Sequence, residues 1–200
     1  MRHPAFVRVT HWIHACAFIA LVVSGTAILL AHPRLYWGET GALGGPSLLD
    51  LPLPMILTGQ TGWGRYLHFL AAWICVIDGA VYVAIGVVTR HFSTDPSRAG
   101  HDRPGYSAAQ HGTYLVVVFA LLPLMIWTGL AMSPAVTSVM PPLVTLLGGQ
   151  QSARTMHFVV AAALVAFVIG HVAMVATSGF TTQIRAMVTG RERAVTTESV

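Results

Sequence analysis

Four stretches, at 12–31, 66–89, 112–132 and 156–178, run almost without charge through this 200-residue sequence. A helix needs ~20 mostly apolar residues, at ~1.5 Å of rise each, to cross the hydrocarbon core of a bilayer. No charge falls between Arg8 and Arg34, between Arg103 and Arg154, or between Arg154 and Arg185. The second stretch is bounded by Arg65 and Arg90 and holds one acid, Asp78. Backbone polar groups in lipid must pair within their own segment, so each stretch is expected to be helical. The expected fold class is all-α, an integral membrane four-helix transmembrane bundle. It forms one domain over 1–200, with no repeat.

The composition closes off the other classes. Hydrophobic residues make up 54% of the chain and charged residues 9%, whereas a soluble domain carries about 25% charge to meet water. Disordered chains, coiled coils and small secreted scaffolds are excluded on the same count. All 11 basic residues are arginines, scattered singly between apolar runs, which argues against nucleic-acid binding despite the net charge of +4. Cys16 and Cys75 both fall in apolar runs with no CxxC or CxxCH motif. Zinc-ribbon, iron–sulfur and c-type haem sites are therefore excluded, and both thiols are expected to be small buried hydrophobes. The first stretch has the basic start of a signal peptide, but its apolar run is long and "AHP" at 31–33 is a poor cleavage site. It is read as a retained span.

The arginines orient the bundle. Arg2, Arg8, Arg90, Arg98, Arg103, Arg185, Arg191 and Arg193 fall on one side, and Arg34, Arg65 and Arg154 on the other. The positive-inside rule puts both termini in the cytoplasm and the segments 32–64 and 133–153 on the opposite, periplasmic side. Within those segments, "SLLDLPLPMIL" and "PPLVTLLGG" are each expected to form a short interfacial helix.

Ten histidines are many for so apolar a chain. Ionisable residues inside a membrane are costly and mark functional sites. His11 opens the first span, His68 opens the second, and His157 and His171 lie at the two ends of the fourth. The last two are 14 residues apart, ~40° short of four full turns and ~21 Å along the axis. They share a face but lie at opposite membrane surfaces. Each needs a partner at its own depth: His68 is level with His157, and His11 with His171. Two imidazoles facing each other across a bundle suit the axial positions of a haem iron, which is then six-coordinate and directed to electron transfer. Each ligand is expected to donate its other ring N–H to a carbonyl or hydroxyl. Zinc is a weaker reading, since two ligands fall short of its tetrahedron. A di-iron carboxylate site is excluded because no glutamate lies in any span.

The segments "RVTHW", "GRYLHF", "RTMHF…GHVAM" and "LLPLMIWTGLAMSP" carry a family resemblance over all four spans. On them the chain resembles the bacterial di-haem b-type cytochromes that serve as membrane subunits of nickel–iron hydrogenase, formate dehydrogenase and thiosulfate reductase. The third span is similar to the branch found beside molybdenum-dependent oxidoreductases. The resemblance implies two b-type haems, one held by His68 with His157 and one by His11 with His171. It also implies electron exchange between a periplasmic oxidoreductase subunit, of molybdenum or hydrogenase type, and the quinone pool of the bacterial inner membrane.

Other residues gather round this frame. His14 lies one turn past His11 on nearly the same face. The family usually has another residue type there, so the match assigns the ligand role to His11. His14 is the alternative ligand in place of His11; its other readings are a hydrogen-bonded core histidine or a quinone contact. His111 is expected in the interface; the alternatives are a ligand in place of His11 or a quinone contact. His3, His32, His91 and His101 lie in loops. Arg8, Arg65 and Arg154 each lie three residues before a ligand candidate, where a guanidinium can pair with a haem propionate or simply reach the interface. Asp78 is either a proton carrier for quinone chemistry or a neutral acid bonded to a neighbouring helix.

The expected function is to pass electrons across the bilayer between a periplasmic partner and quinone. One alternative is a stand-alone quinone-linked cytochrome b that oxidises a small species such as superoxide. Another is a haem-free proton-coupled carrier, disfavoured by the lack of broken helices or inverted repeats.

Overall fold

The chain was analysed as a computed structural model that describes residues 4–40, 45–56, 62–90, 112–113 and 115–190. Three helices are long and apolar enough to cross a membrane: α1 (Ala5–Ala31), α2 (Trp63–Val88) and, later in the chain, Gln150–Thr177. Each starts before the expected span, because helix continues beyond the apolar run into the polar approach.

The third stretch takes a different form. A π-helical turn at Val117–Leu121 leads into α3 (Leu122–Ala131). Pro123 explains it: its ring crowds the carbonyl four residues back and it offers no N–H to that group. The wider turn absorbs the misfit. Two single-turn helices follow, α4 (Pro134–Thr137) and α5 (Pro142–Thr145), before α6 (Gln150–Thr177) and α7 (Phe180–Thr189).

Between α1 and α2 the chain forms a small antiparallel hairpin, β1 (Arg34–Leu35) with β2 (Leu49–Asp50). Arg34 faces Asp50, and its Nε donates to Asp50 Oδ2 at 3.1 Å. This corrects the expectation of a helix in "SLLDLPLPMIL". Pro52 and Pro54 cannot supply helical N–H donors and push the residues before them into extended conformation. In "PPLVTLLGG" the helix is present but only four residues long.

The helices pack in two pairs, α1 with α2 and α3 with α6. The first seam is built from small or compact residues seven or eight positions apart: Thr10, Ala17, Ser24 and Ala31 of α1 and Gly64, Ala71, Asp78 and Gly86 of α2 are buried there. Small side chains let helix backbones approach closely, which is how helices gain contact in lipid. The second pair buries Val117, Val160 and Leu164, with Phe18 of α1 packed against that cluster. Outside these seams the surface is apolar: Phe119, Leu70 and Ile169 are well exposed. A soluble protein does not show such a surface; a membrane protein turns it to lipid. Cys16 and Cys75 belong partly to this surface. Both are free thiols, Cys16 exposed and Cys75 half-buried, not the buried hydrophobes expected.

One end is closed by backbone ties. Gly38 N–H donates to Ser152 Oγ at 2.8 Å, Gln151 N–H to the Gly38 carbonyl at 3.0 Å, and Thr155 Oγ1 to the Tyr36 carbonyl at 2.6 Å. Gly149, in left-handed conformation at φ 112°, starts α6 against this loop, and a Cβ there would lie 2.7 Å from the Gly38 backbone. At the other end α7 folds back on the start of α1. Arg8 Nη1 donates to the Val188 carbonyl at 2.8 Å and Trp12 Nε1 to the Met187 carbonyl at 3.2 Å.

Candidate haem site

His68 and His157 come together between the two helix pairs. Their ring centres are 6.2 Å apart and their planes inclined at 65°. An imidazole nitrogen binds a first-row metal at about 2 Å. Adding about 1 Å from nitrogen to ring centre on each side, two imidazoles on one metal have centres about 6 Å apart. The observed spacing is that of an axial pair. Among the described residues no third His, Cys, Asp or Glu joins them, so the donor set suits a metal whose remaining ligands come from a macrocycle.

The tautomer follows from the neighbours. Ser24 Oγ, on α1, lies 2.6 Å from the Ala20 carbonyl and 3.1 Å from His68 Nδ1. Its one proton goes to the carbonyl, so its oxygen accepts the Nδ1–H of His68. Thr128 Oγ1, on α3, repeats this: it donates to the Leu124 carbonyl at 2.8 Å and accepts from His157 Nδ1 at 2.9 Å. Both imidazoles therefore carry their hydrogen on Nδ1 and keep the Nε2 lone pair free, as a metal ligand must. The hydroxyl partners expected in principle are thus Ser24 and Thr128.

Each hydroxyl is followed by a glycine that the ring lies against. A Cβ on Gly25 would be 3.4 Å from His68 Cε1, and one on Gly129 would be 3.5 Å from His157 Cε1. The same two-residue cradle, hydroxyl then glycine, is presented by the neighbouring helix in both pairs. Sequence reasoning missed it. "SG" and "TG" are visible in the sequence, but only the register between helices shows that they meet histidines.

The second expected pair is arranged otherwise. His11 is exposed and meets the Trp12 ring edge-on at 5.5 Å, while His171 stacks on Phe167 at 6.2 Å. No ring contact joins His11 to His171 in this structure. His14 Nδ1 instead bonds Asp78 Oδ2 across the first seam. This bond ties Asp78 to the neighbouring helix. His3, His91, His101 and His111 lie outside the described residues.

The three arginines are spread over both ends. Arg65 lies over the Phe69 ring, 5.6 Å from its centre. Arg154 Nη2 donates to the His32 carbonyl. Arg8 is engaged through Nη1 by α7, but its Nε is buried with no partner. That orphaned donor, one turn before His11, fits an anionic group such as a propionate.

The family described as prokaryotic cytochrome b561 matches residues 2–190. A putative protein-methionine-sulfoxide reductase subunit, YedZ1, from Azospira oryzae is 31% identical over 197 residues, covering 87% of this chain and 89% of the relative. No solved structure matches. An apolar helical bundle with two facing imidazoles, matched by that family over nearly its whole length, identifies the protein: the chain is a haem b-binding, multi-pass inner-membrane electron carrier of the prokaryotic cytochrome b561 family.

Proposed function

We propose that this chain is a di-haem carrier linking a membrane quinone to a reductase subunit on the far side of the bilayer. The observation that carries the reading is the 6.2 Å spacing of His68 and His157, with both Nδ1 atoms bonded and both Nε2 atoms free. A second axial pair, His11 with His171, is inferred from matched depth. Each haem supplies a one-electron ferric/ferrous couple. His68 and His157 would hold a haem between the helix pairs, and Ser24 and Thr128 hold their rings against rotation. With His68 and His157 as its protein ligands, a haem held here would supply electron transfer rather than oxygen binding. Arg8, Arg65 and Arg154 are assigned to propionates or to the membrane surface.

Both termini are assigned to the cytoplasm, which puts the hairpin and α4–α5 in the periplasm. The partner is assigned by similarity to the sulfoxide reductase subunit: a periplasmic oxidoreductase that takes electrons drawn from quinol. The test is a redox titration of the visible spectrum with haem quantification. Two haems per chain are expected. His68→Ala or His157→Ala removes one, and His11→Ala or His171→Ala the other. A variant that keeps both haems overturns that pairing.

A further inference from the structure

The α1–α2 seam carries an ambiguity in its own spacing. Its buried residues recur every seven positions on α1 (Thr10, Ala17, Ser24, Ala31) and every seven or eight on α2 (Gly64, Ala71, Asp78, Gly86). All but Asp78 are uncharged, and all are small or compact. Sliding one helix by seven residues, ~10.5 Å, would set small side chains against small side chains again. Helices in lipid gain contact through such close approach, so packing alone leaves the slipped registers open.

Two polar contacts tie the observed register down. His14 on α1 bonds Asp78 on α2, and His68 on α2 bonds Ser24 on α1. His14 to Ser24 and His68 to Asp78 are both intervals of ten residues. Gly25 and Gly79 follow the two bonded residues and lie against the rings: a Cβ would be 3.4 Å from His68 Cε1 and 3.8 Å from His14 Cε1. An approximate two-fold axis therefore exchanges the two contacts, and both report one register. A slip by seven residues breaks both at once. It puts Val7 or Leu21 in the place of His14 beside Asp78, and Ala17 or Ala31 in the place of Ser24 beside His68. The hydroxyls that a slip brings opposite Asp78, those of Thr10 or Ser24, already give their hydrogens to the Phe6 and Ala20 carbonyls.

The two losses are unequal. Without Ser24, His68 has one neutral N–H unpaired. Without His14, the carboxyl group of Asp78, only 8% exposed, has no partner inside an apolar bundle. Unpaired acids are the costlier of the two to bury. The stronger constraint on register thus lies ~15 Å along the seam from the level of His68.

We propose that His14 and Asp78 are positioning residues. Their bond selects, among the registers that the small residues allow, the one that sets Ser24 and Gly25 against His68. A single buried polar residue fixes register in the same way in coiled coils. The role is exerted through His68 and rests on the reading of that histidine as a haem ligand. It requires no cofactor at the level of the pair itself.

The test compares the wild type with the double variant His14→Leu/Asp78→Ala. That variant leaves no unpaired polar group and keeps a small residue in the seam, so the helices can still pair. Register is read by disulfide cross-linking with Cys16 and Cys75 changed to Ala. Ala31→Cys with Gly64→Cys reports the observed register, in which both lie at the same end of the seam. Ala71→Cys with Ala17→Cys or with Ala31→Cys reports a slip in either direction. In the observed register those partners are ~10.5 Å apart along the axis, beyond the roughly 7 Å between α-carbons that a disulfide can bridge. The wild type should give the Ala31–Gly64 cross-link alone. The double variant should add the slip cross-links and release haem from His68 and His157 roughly 10- to 100-fold more readily. An amide pair, His14→Asn with Asp78→Asn, should restore both wild-type results, because its amide atoms reach as far from the backbone as His Nδ1 and Asp Oδ2. A double variant that keeps the Ala31–Gly64 cross-link alone, or that slips without loosening haem, overturns the inference. So does an amide pair that slips as the double variant does. A wild type with no haem at His68 and His157 overturns the haem reading, while the cross-links still decide the register.

Discussion

The imidazoles of His68 and His157 are held by hydrogen bonds that a single atom can remove. Ser24→Ala leaves the Nδ1–H of His68 without its hydroxyl partner, and Thr128→Val does the same to His157 while keeping the side-chain volume. Partners of this kind typically carry 10- to 100-fold of metal affinity. Either variant should release haem roughly 10- to 100-fold more readily, measured by transfer to an acceptor protein, with the helical content unchanged. Gly25→Leu and Gly129→Leu should act more severely. A Cβ alone would already touch the ring at 3.4 or 3.5 Å, so a larger side chain must displace it. The expected readout is loss of the His68/His157 haem from the spectrum. The histidines themselves were legible in the sequence, because an ionisable residue in an apolar run stands out and the 14-residue interval fixes both face and depth. The hydroxyls were not, because serine and threonine satisfy their own helix carbonyls and look inert until a neighbour is placed beside them.

At the scale of elements, α6 depends on how it begins. Gly149 adopts a left-handed conformation that an L side chain rarely takes, and its α-carbon is packed against Gly38 and Glu39. Gly149→Ala should destabilise the protein by more than about 1 kcal/mol, read as a lower melting temperature, and should disturb His157, two turns on. The apolar runs predicted the long helices well, since no other structure satisfies their backbone in lipid. They misjudged the shorter elements. In "SLLDLPLPMIL" hydrophobicity suggested a helix, but the two prolines decide the backbone. α7 escaped notice because its Arg185 and its threonines break the apolar pattern. Its hydrogen bonds from Arg8 and Trp12, at opposite ends of the sequence, leave no local trace.

For the whole molecule, the two ends are chemically unlike. One carries the hairpin, α4 and α5, bound to the start of α6; the other carries α7, bound to the start of α1. The proposed orientation puts the first end outside the cytoplasm. A cysteine introduced at Ser47, with Cys16 and Cys75 changed to Ala, should react with a membrane-impermeant thiol reagent in intact cells. A cysteine at Ser178 should react only after the membrane is opened; the reverse pattern would invert the bundle. The division into two closely seamed hairpins, α1 with α2 and α3 with α6, bears on how the protein is made. Each hairpin satisfies its own backbone and packs its own seam, so each can enter the membrane as a finished piece. The facing histidines belong to different pieces, so on the proposed ligation porphyrin capture would be a late step in biogenesis, with the iron as the rivet that joins them.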